Sequence, residues 1–178
     1  MDVFDALRKR RMHRYFTEEP VSEQVLAKLV RAAARAPMGG NELVRRLIVV
    51  TDPRLVKTLR QVTPSFLANA QAVIVVCTDL ERAEVSMGRQ GRDVLSLLDA
   101  GASAENVALA APALGIGVCF VRSVNDSALR EVLELPESVR PDILIGVGHP
   151  APTPSPVAPR RQAVVYRDCY GNPWEAAP

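Results

Sequence analysis

Apolar side chains along this chain follow two periods. Val25, Leu26, Leu29, Val30 and Ala33 recur at helical spacing behind Ser22, with Glu23 and Gln24 in the first turn, the pattern of a capped amphipathic helix. That helix should stop at Pro37. Leu47 to Thr51 and Ala72 to Cys77 are short, unbroken apolar runs, as expected of strands buried in a sheet. Ile116–Val121 and Asp142–Val147 read as a third and a fourth strand. Shorter helices are predicted from Asp2 to about Arg10, with Val3, Phe4 and Leu7 on one side, from Asp52-Pro53 to about Val62, and from Asn125-Asp126 to about Leu133. Asp93 to Leu114 reads as one long, largely apolar helix closed by Gly115. Asp79 to Arg92 shows no periodicity and is expected to be a polar, mobile connection.

Prolines at 150, 152, 154, 156 and 159 make the stretch from Pro150 to Pro159 an extended arm, unable to form a helix or a central strand. Gln162 to Tyr166 then regains strand character. Such a strand can fold back on its own sheet or add to a neighbour's. Helices alternating with strands, and few hairpin signals, favour α/β or α+β architecture. A chain of 178 residues fits one domain, here 1–178 with 150–178 as its arm.

Composition narrows the function classes. A net charge of +2 is too small to make nucleic acid or anionic lipid the default partner. Arginine greatly outnumbers lysine, and arginine is the better residue for a two-pronged grip on phosphate. Cys77, Cys119 and Cys169 are widely spaced, and with only His13 and His149 beside them they form no zinc-ligand pattern; buried free thiols are the simpler expectation. The charged start has no signal-peptide stretch, and no segment reaches the roughly 20 apolar residues of a membrane span, so a cytoplasmic protein is expected. No Gly-x-Gly-x-x-Gly opens a helix after the first strand and no P-loop is present, which leaves a dinucleotide Rossmann fold and a P-loop nucleotidase unsupported.

Candidate chemistry gathers in a few segments. Arg10-Arg11-Met12-His13-Arg14-Tyr15-Phe16 packs enough cationic charge to neutralise a phosphate of about two charges, although a solvated basic helix end would look the same. In Ala36-Pro37-Met38-Gly39-Gly40-Asn41 glycines let backbone amides come close to a flat ligand; an ordinary loop is the competing reading. Gly101, Ala102 and Ala104 let another helix approach closely. Arg160 and Arg161 stand at the end of the rigid arm. No Ser-His-Asp or carboxylate pair is found.

Taken in order, these segments resemble the nitroreductase family: its Arg-Arg-Ser-x-Arg-x-Phe opening, its Ala-Pro-Ser-x-x-Asn loop, its Asp-x-Gly-x-x-x-Gln-Asn-Leu helix running into Leu-Gly-x-Gly-x-x-Trp (here Asp99 to Asn106, then Leu114 onward), and its closing Pro-Arg-Lys-Pro. The resemblance implies an α+β, three-layer fold with a mostly antiparallel central sheet flanked by helices and a C-terminal strand exchanged in a homodimer. It implies FMN, with NADH or NADPH as donor and a small aromatic, quinone or nitro-type acceptor, in a ping-pong reaction that needs no acid or base from the protein. Arg10, Arg11, Met12 and Arg14 would hold the phosphate and ribityl chain. Pro37, Met38, Gly39 and Asn41 would approach the ring from the partner subunit, Val121, Arg122 and Ser123 would line the ring edge, and Arg160, with Arg161 as alternate, would reach the phosphate. Met38 stands where the family has Ser, and Leu43-Val44-Arg45 where it has Gln-Pro-Trp near the ring or dimer surface. Those departures keep two alternatives open: a flavin-dependent oxidase or dehydrogenase of a peptide-like substrate, loosely matched by the segment from Val62 to Asn69, or a catalytically silent flavin- or partner-binding homodimer.

Overall fold

The strand Ala72–Asp79 (β2) is buried on both faces along almost its whole length, and the rest of the fold is arranged around it. The computed structural model describes residues 1–63, 68–152 and 163–174. Its sheet has the order β1-β2-β4-β3, with β1 at Arg45–Val50, β3 at Gly117–Val121 and β4 at Val139–Gly148. Every neighbouring pair is antiparallel. Six α-helices accompany it among the described residues: α1 (Val3–Lys9), α2 (Glu23–Ala34), α3 (Pro53–Val62), α4 (Leu80–Gln90), α5 (Ser96–Ala110) and α6 (Asp126–Val132).

Alternate residues of β2 serve opposite layers. Ala72, Ile74 and Val76, with Val118, Ile145 and Val147, pack against Leu26, Leu29 and Ala33 of α2 and Ala100, Ala104, Val107 and Ala108 of α5. Val73, Val75 and Cys77, with Val50, Val121 and Leu144, pack against Val56 and Leu59 of α3 and Leu129 of α6. Each fully buried Leu, Ile or Val contributes about 1.5 to 3 kcal/mol of transfer free energy. This is the expected three-layer α+β arrangement. Local chemistry sets the helix starts: the side chains of Ser22, Asp52 and Asn125 accept from the first-turn amides of Val25, of Arg54 and Leu55, and of Ala128, satisfying donors that a helix leaves open.

Several boundaries differ from expectation for identifiable reasons. Asp79 to Arg92 is not a mobile connection: Asp79 caps α4 by accepting from Arg82 N–H, and Leu80, Ala83 and Met87, at helical spacing, form its short inner stripe, of which only Ala83 is fully buried. The long helix expected from Asp93 is divided into a π turn over Gly91–Leu95, then α5, then a 3-10 turn over Ala111–Leu114 holding Pro112. A side chain at Gly91 would bring a Cβ within 2.1 Å of Met87 Cβ, so this bend requires glycine. Run together, Leu80–Leu114 spans 35 residues and has, by length and composition alone, the hydropathy of a membrane-crossing helix; its α5 portion supplies one wall of the core. β4 begins three residues before the expected Asp142. Pro141 is tolerated because β3 pairs only with Leu144–Gly148 and because β2 bulges opposite it at Val76/Cys77. The expected strand from Gln162 is reduced to a bridge between Tyr166 and Pro173, and residues 153–162 of the proline arm lie outside the described residues.

Asp142 ties the layers together. Its carboxylate is fully enclosed, accepting from the Thr78 hydroxyl and from Arg140 Nε, each at 2.5 Å. Arg140 continues to the Arg92 carbonyl of the π turn and to Ser96 Oγ. Burial pushes the Asp142 pKa up, while the Thr78 and Arg140 bonds pull it back.

Two of the three thiols are core groups, as expected, and the third is exposed. Burial raises Cys77 to about 12 and Cys119 to about 11, so neither offers a thiolate at neutral pH. A thiol-specific disulfide reagent should therefore modify no more than one cysteine per native chain, Cys169, and all three after denaturation. Native modification of Cys77 or Cys119 at pH 8 would contradict this packing.

Candidate functional site

The arginine-rich strip begins where α1 ends. Arg10 leaves the helix with extended backbone, and the chain then crosses the edge of the sheet at β3. His13 N–H donates to the Val118 carbonyl at 2.8 Å, and Met12 bridges Val118. Two glycines make the close approach possible. A Cβ at Gly117 would lie 2.8 Å from the His13 ring, and one at Gly148 would lie 2.8 Å from the Phe16 ring. Phe16 is buried with Ala70 and Cys119. Its amide donates to Asn69 Oδ1 at 3.0 Å, and Asn69 Nδ2 donates to its carbonyl at 2.5 Å. One side chain thus reproduces the double bond that a neighbouring strand would make.

This anchoring leaves Arg11, Met12 and Arg14 exposed and Arg10 partly buried. Arg10 Nε meets Glu105 of α5 at 2.9 Å. The strip's positive field reaches its neighbours: the pKa of His13 is lowered, by burial first and by the Arg11 charge second, and Arg14 pulls on the Cys119 thiol against the larger effect of burial.

The second candidate segment, Pro37 to Asn41, follows α2 and ends in a tight turn in which Gly40 and Asn41 both take left-handed backbone, at φ 58° and 56°. Glycine adopts this readily and asparagine better than most residues. Gly39 N–H donates to Asp99 Oδ2 at 2.8 Å, and a Cβ at Gly39 would press on Leu95 and Met87. Asp99 and Glu105 lie six residues apart on α5, about 9 Å along its axis. The arginine strip and this loop are therefore fixed to different parts of one helix.

The third segment follows the end of β3. Val121 is buried in the sheet, while Arg122 and Ser123 are exposed; Arg122 pairs with Asp126 at 3.3 Å in a solvent-facing contact of small energetic value. One edge strand thus positions both the strip, at its start, and residues 121–123, at its end. Arg160 and Arg161 lie outside the described residues.

The nitroreductase family profile matches residues 7–63 and 52–149. An Archaeoglobus fulgidus protein named for NADH dehydrogenase or NAD(P)H nitroreductase activity is 34% identical over 149 residues, covering 79% of this chain and 81% of its own length. The chain belongs to the nitroreductase family. The FMN reductase (NADPH) of Bacillus subtilis is 27% identical over 95% of this chain and 74% of its own. Among solved structures, the FMN-dependent nitroreductase of Clostridium difficile R20291 superposes with a TM-score of 0.73 at 26% identity, over 87% of this chain and 91% of its own.

Within this nitroreductase fold, the departure at Arg45 is not a surface substitution. Expected near the ring or the dimer surface, Arg45 is buried at 8% exposure. Its Nη1 donates to the Ala33 carbonyl at 2.5 Å and to Ser103 Oγ, and its Nη2 to the carbonyls of Ala36 and Pro37 at 3.1 and 3.2 Å. The Ala33 carbonyl also accepts from the Ala36 amide, while those of Ala36 and Pro37 lie just past the end of α2. Asn69, Glu105 and the Arg45 contacts were not foreseen in the sequence. The one available signal was Asn69 itself, a polar residue just ahead of a fully buried strand.

Replacing Asn69 with alanine strands two backbone groups of Phe16, which should cost about 1 to 3 kcal/mol. The loss is to be read as a lower urea midpoint at unchanged slope. An unaltered midpoint would mean that Asn69 does not anchor the strip.

Proposed function

We propose that this chain is an FMN-dependent oxidoreductase that takes electrons from NADH or NADPH and passes them to a small aromatic, quinone or nitro-type acceptor. The observation that carries the reading is the arginine strip, presented outward from a backbone bonded to β3 at Val118 and held at Phe16 by Asn69, with Gly117 and Gly148 leaving room for it. The relatives named for NAD(P)H nitroreductase and FMN reductase activity support it.

FMN fits the residues present. A phosphate of about two charges suits the exposed cationic strip, and Arg10, Arg11 and Arg14 would hold it, with Arg160 or Arg161 added from the arm. Met12 would lie along the ribityl chain. Pro37, Met38, Gly39 and Asn41 would meet the ring of the partner's cofactor, and Val121, Arg122 and Ser123 would line the ring edge. When bound, FMN supplies two-electron chemistry, so the chain's own contribution is binding, orientation and electrostatics. The ordinary catalytic acid or base is not required of it.

The working form is a homodimer in the cytoplasm, each chain a single domain of residues 1–178. The apolar face of α1 points outward, with Phe4 72% and Val3 67% exposed, and Val94, Leu97 and Leu98 continue it along the π turn and α5. At Gly101 nothing lies within 4 Å of where a Cβ would stand, so a second helix could approach there. Among the described residues the outer edge of β1 is unpaired. It would receive the strand from the partner's 150–178 arm.

A visible spectrum and an FMN titration test the proposal directly. About one flavin per chain is expected, and Arg10→Ala should weaken FMN binding by on the order of 1 to 3 kcal/mol, as for a charged hydrogen bond. A colourless protein that takes up no FMN would overturn the flavin reading in favour of a flavin-free interaction dimer.

A further inference from the structure

Arg45 and Asp99 grip opposite sides of the same short backbone. The Arg45 guanidinium holds three carbonyls, those of Ala33, Ala36 and Pro37, and so fixes the path by which the chain leaves α2. Two residues on, Asp99 holds the Gly39 amide from α5 at 2.8 Å. Ser103, also on α5 and fully buried, takes the remaining Nη1 contact. The two charges face each other electrostatically, since Asp99 favours the charged form of Arg45 against its burial. Between the two grips lie Pro37, Met38 and Gly39, followed by the left-handed pair Gly40 and Asn41.

A single-point ammonium could not make this set of contacts. The planar fork of arginine satisfies several carbonyls at once and stays charged when buried, whereas an apolar side chain of similar volume would lose the bonds to the Ala36 and Pro37 carbonyls. A buried charge at this position is costly: Nε is left without a partner, and the bonds that Nη1 and Nη2 make fall chiefly on residues leading into the loop. The arrangement spends its hydrogen bonds on the position of that loop.

We infer that Arg45, acting with Asp99, is a positioning residue that sets the placement of the 37–41 loop against the flavin ring bound by the partner subunit. This rests on the proposed flavin site and assigns to Arg45 a role through backbone carbonyls and amides, with no contact of its own to the cofactor. Four consequences separate it from a general packing role. Loosening the grip should free the loop in the absence of flavin. It should weaken binding at the ring and leave the phosphate end untouched. It should also alter the ring's environment, and lysine should restore only part of what arginine does.

The test uses the intact chain and its variants Arg45→Lys, Arg45→Met and Asp99→Asn, with folding checked by circular dichroism and dimerisation by sedimentation. In protein freed of flavin, amide hydrogen exchange over residues 36–42 is expected to quicken at least ten-fold in Arg45→Met, less in Arg45→Lys and Asp99→Asn, with β2 unchanged. With flavin, the dissociation constants of riboflavin and FMN should rise together, roughly ten-fold in Arg45→Met, so that their ratio stays that of the parent, and the visible flavin band should shift. Arg10→Ala should change the FMN constant alone. If Arg45→Met does not fold, Arg45→Lys decides by the same readouts. Parent-like exchange in the loop, or parent-like constants and spectrum in a folded variant whose parent binds FMN, would overturn the inference while leaving the flavin site in place. A parent that binds neither flavin would overturn the flavin site itself and the inference with it.

Discussion

β2 has no solvent side. Seven consecutive residues, Ala72 to Thr78, are buried, and because side chains alternate across a strand both faces of the sheet must be covered. One layer is α2 with α5, the other α3 with α6. The same constraint decides where the sheet can end. With β2 and β4 inside, the edges fall on β1 and β3. Both edges carry backbone groups open to further pairing: β3 receives the strip at Met12 and His13, and among the described residues the outer edge of β1 is unpaired. The placement of the candidate site is thus a consequence of which strand is buried.

What was legible in the sequence follows from how local the determining interaction is. β2 and α2 could be read because their burial is written in a run and a stripe of apolar residues, and the starts of α2, α3 and α6 because their caps are single side chains acting three residues or fewer away. α4 could not, since its stripe is only three residues long, Leu80, Ala83 and Met87, and just one of them is fully buried. The π turn escaped for a different reason: it leaves the composition of a helix intact and reveals itself only through the clash that any side chain at Gly91 would make with Met87. Pro141 misled because it reads as a strand boundary, whereas here the missing N–H falls where β4 has no β3 partner.

The candidate site divides in the same way. The cationic strip and the glycine loop were visible as composition, and the family resemblance ordered them. Their anchors were not visible, because Asn69 reaches Phe16 across 53 residues and Asp99 reaches Gly39 across 60, contacts that exist only once the layers have formed. Arg45 was read only through the family resemblance, which sets it where tryptophan stands near the ring or the dimer surface. In the fold it is buried, its Nη1 and Nη2 bonded to Ser103 and to the carbonyls of Ala33, Ala36 and Pro37 and its Nε unpartnered.

Arginines in this chain consequently divide into two kinds that composition alone cannot separate. Those of the strip keep their charge near solvent, where it can act on an anion, and the Arg11 charge adds to burial in lowering the pKa of His13. Arg45 has its charge enclosed by carbonyl dipoles and by Asp99, so it contributes little field beyond its own surroundings and contributes geometry instead. In a protein whose cofactor carries the reactive chemistry, these are the two means by which side chains act on it: one sets the potential around the ligand, the other sets the distance from which the backbone meets it. Arginine at position 45 therefore supports the loop by hydrogen bonds, through directional bonds to three named carbonyls that fix the backbone leaving α2.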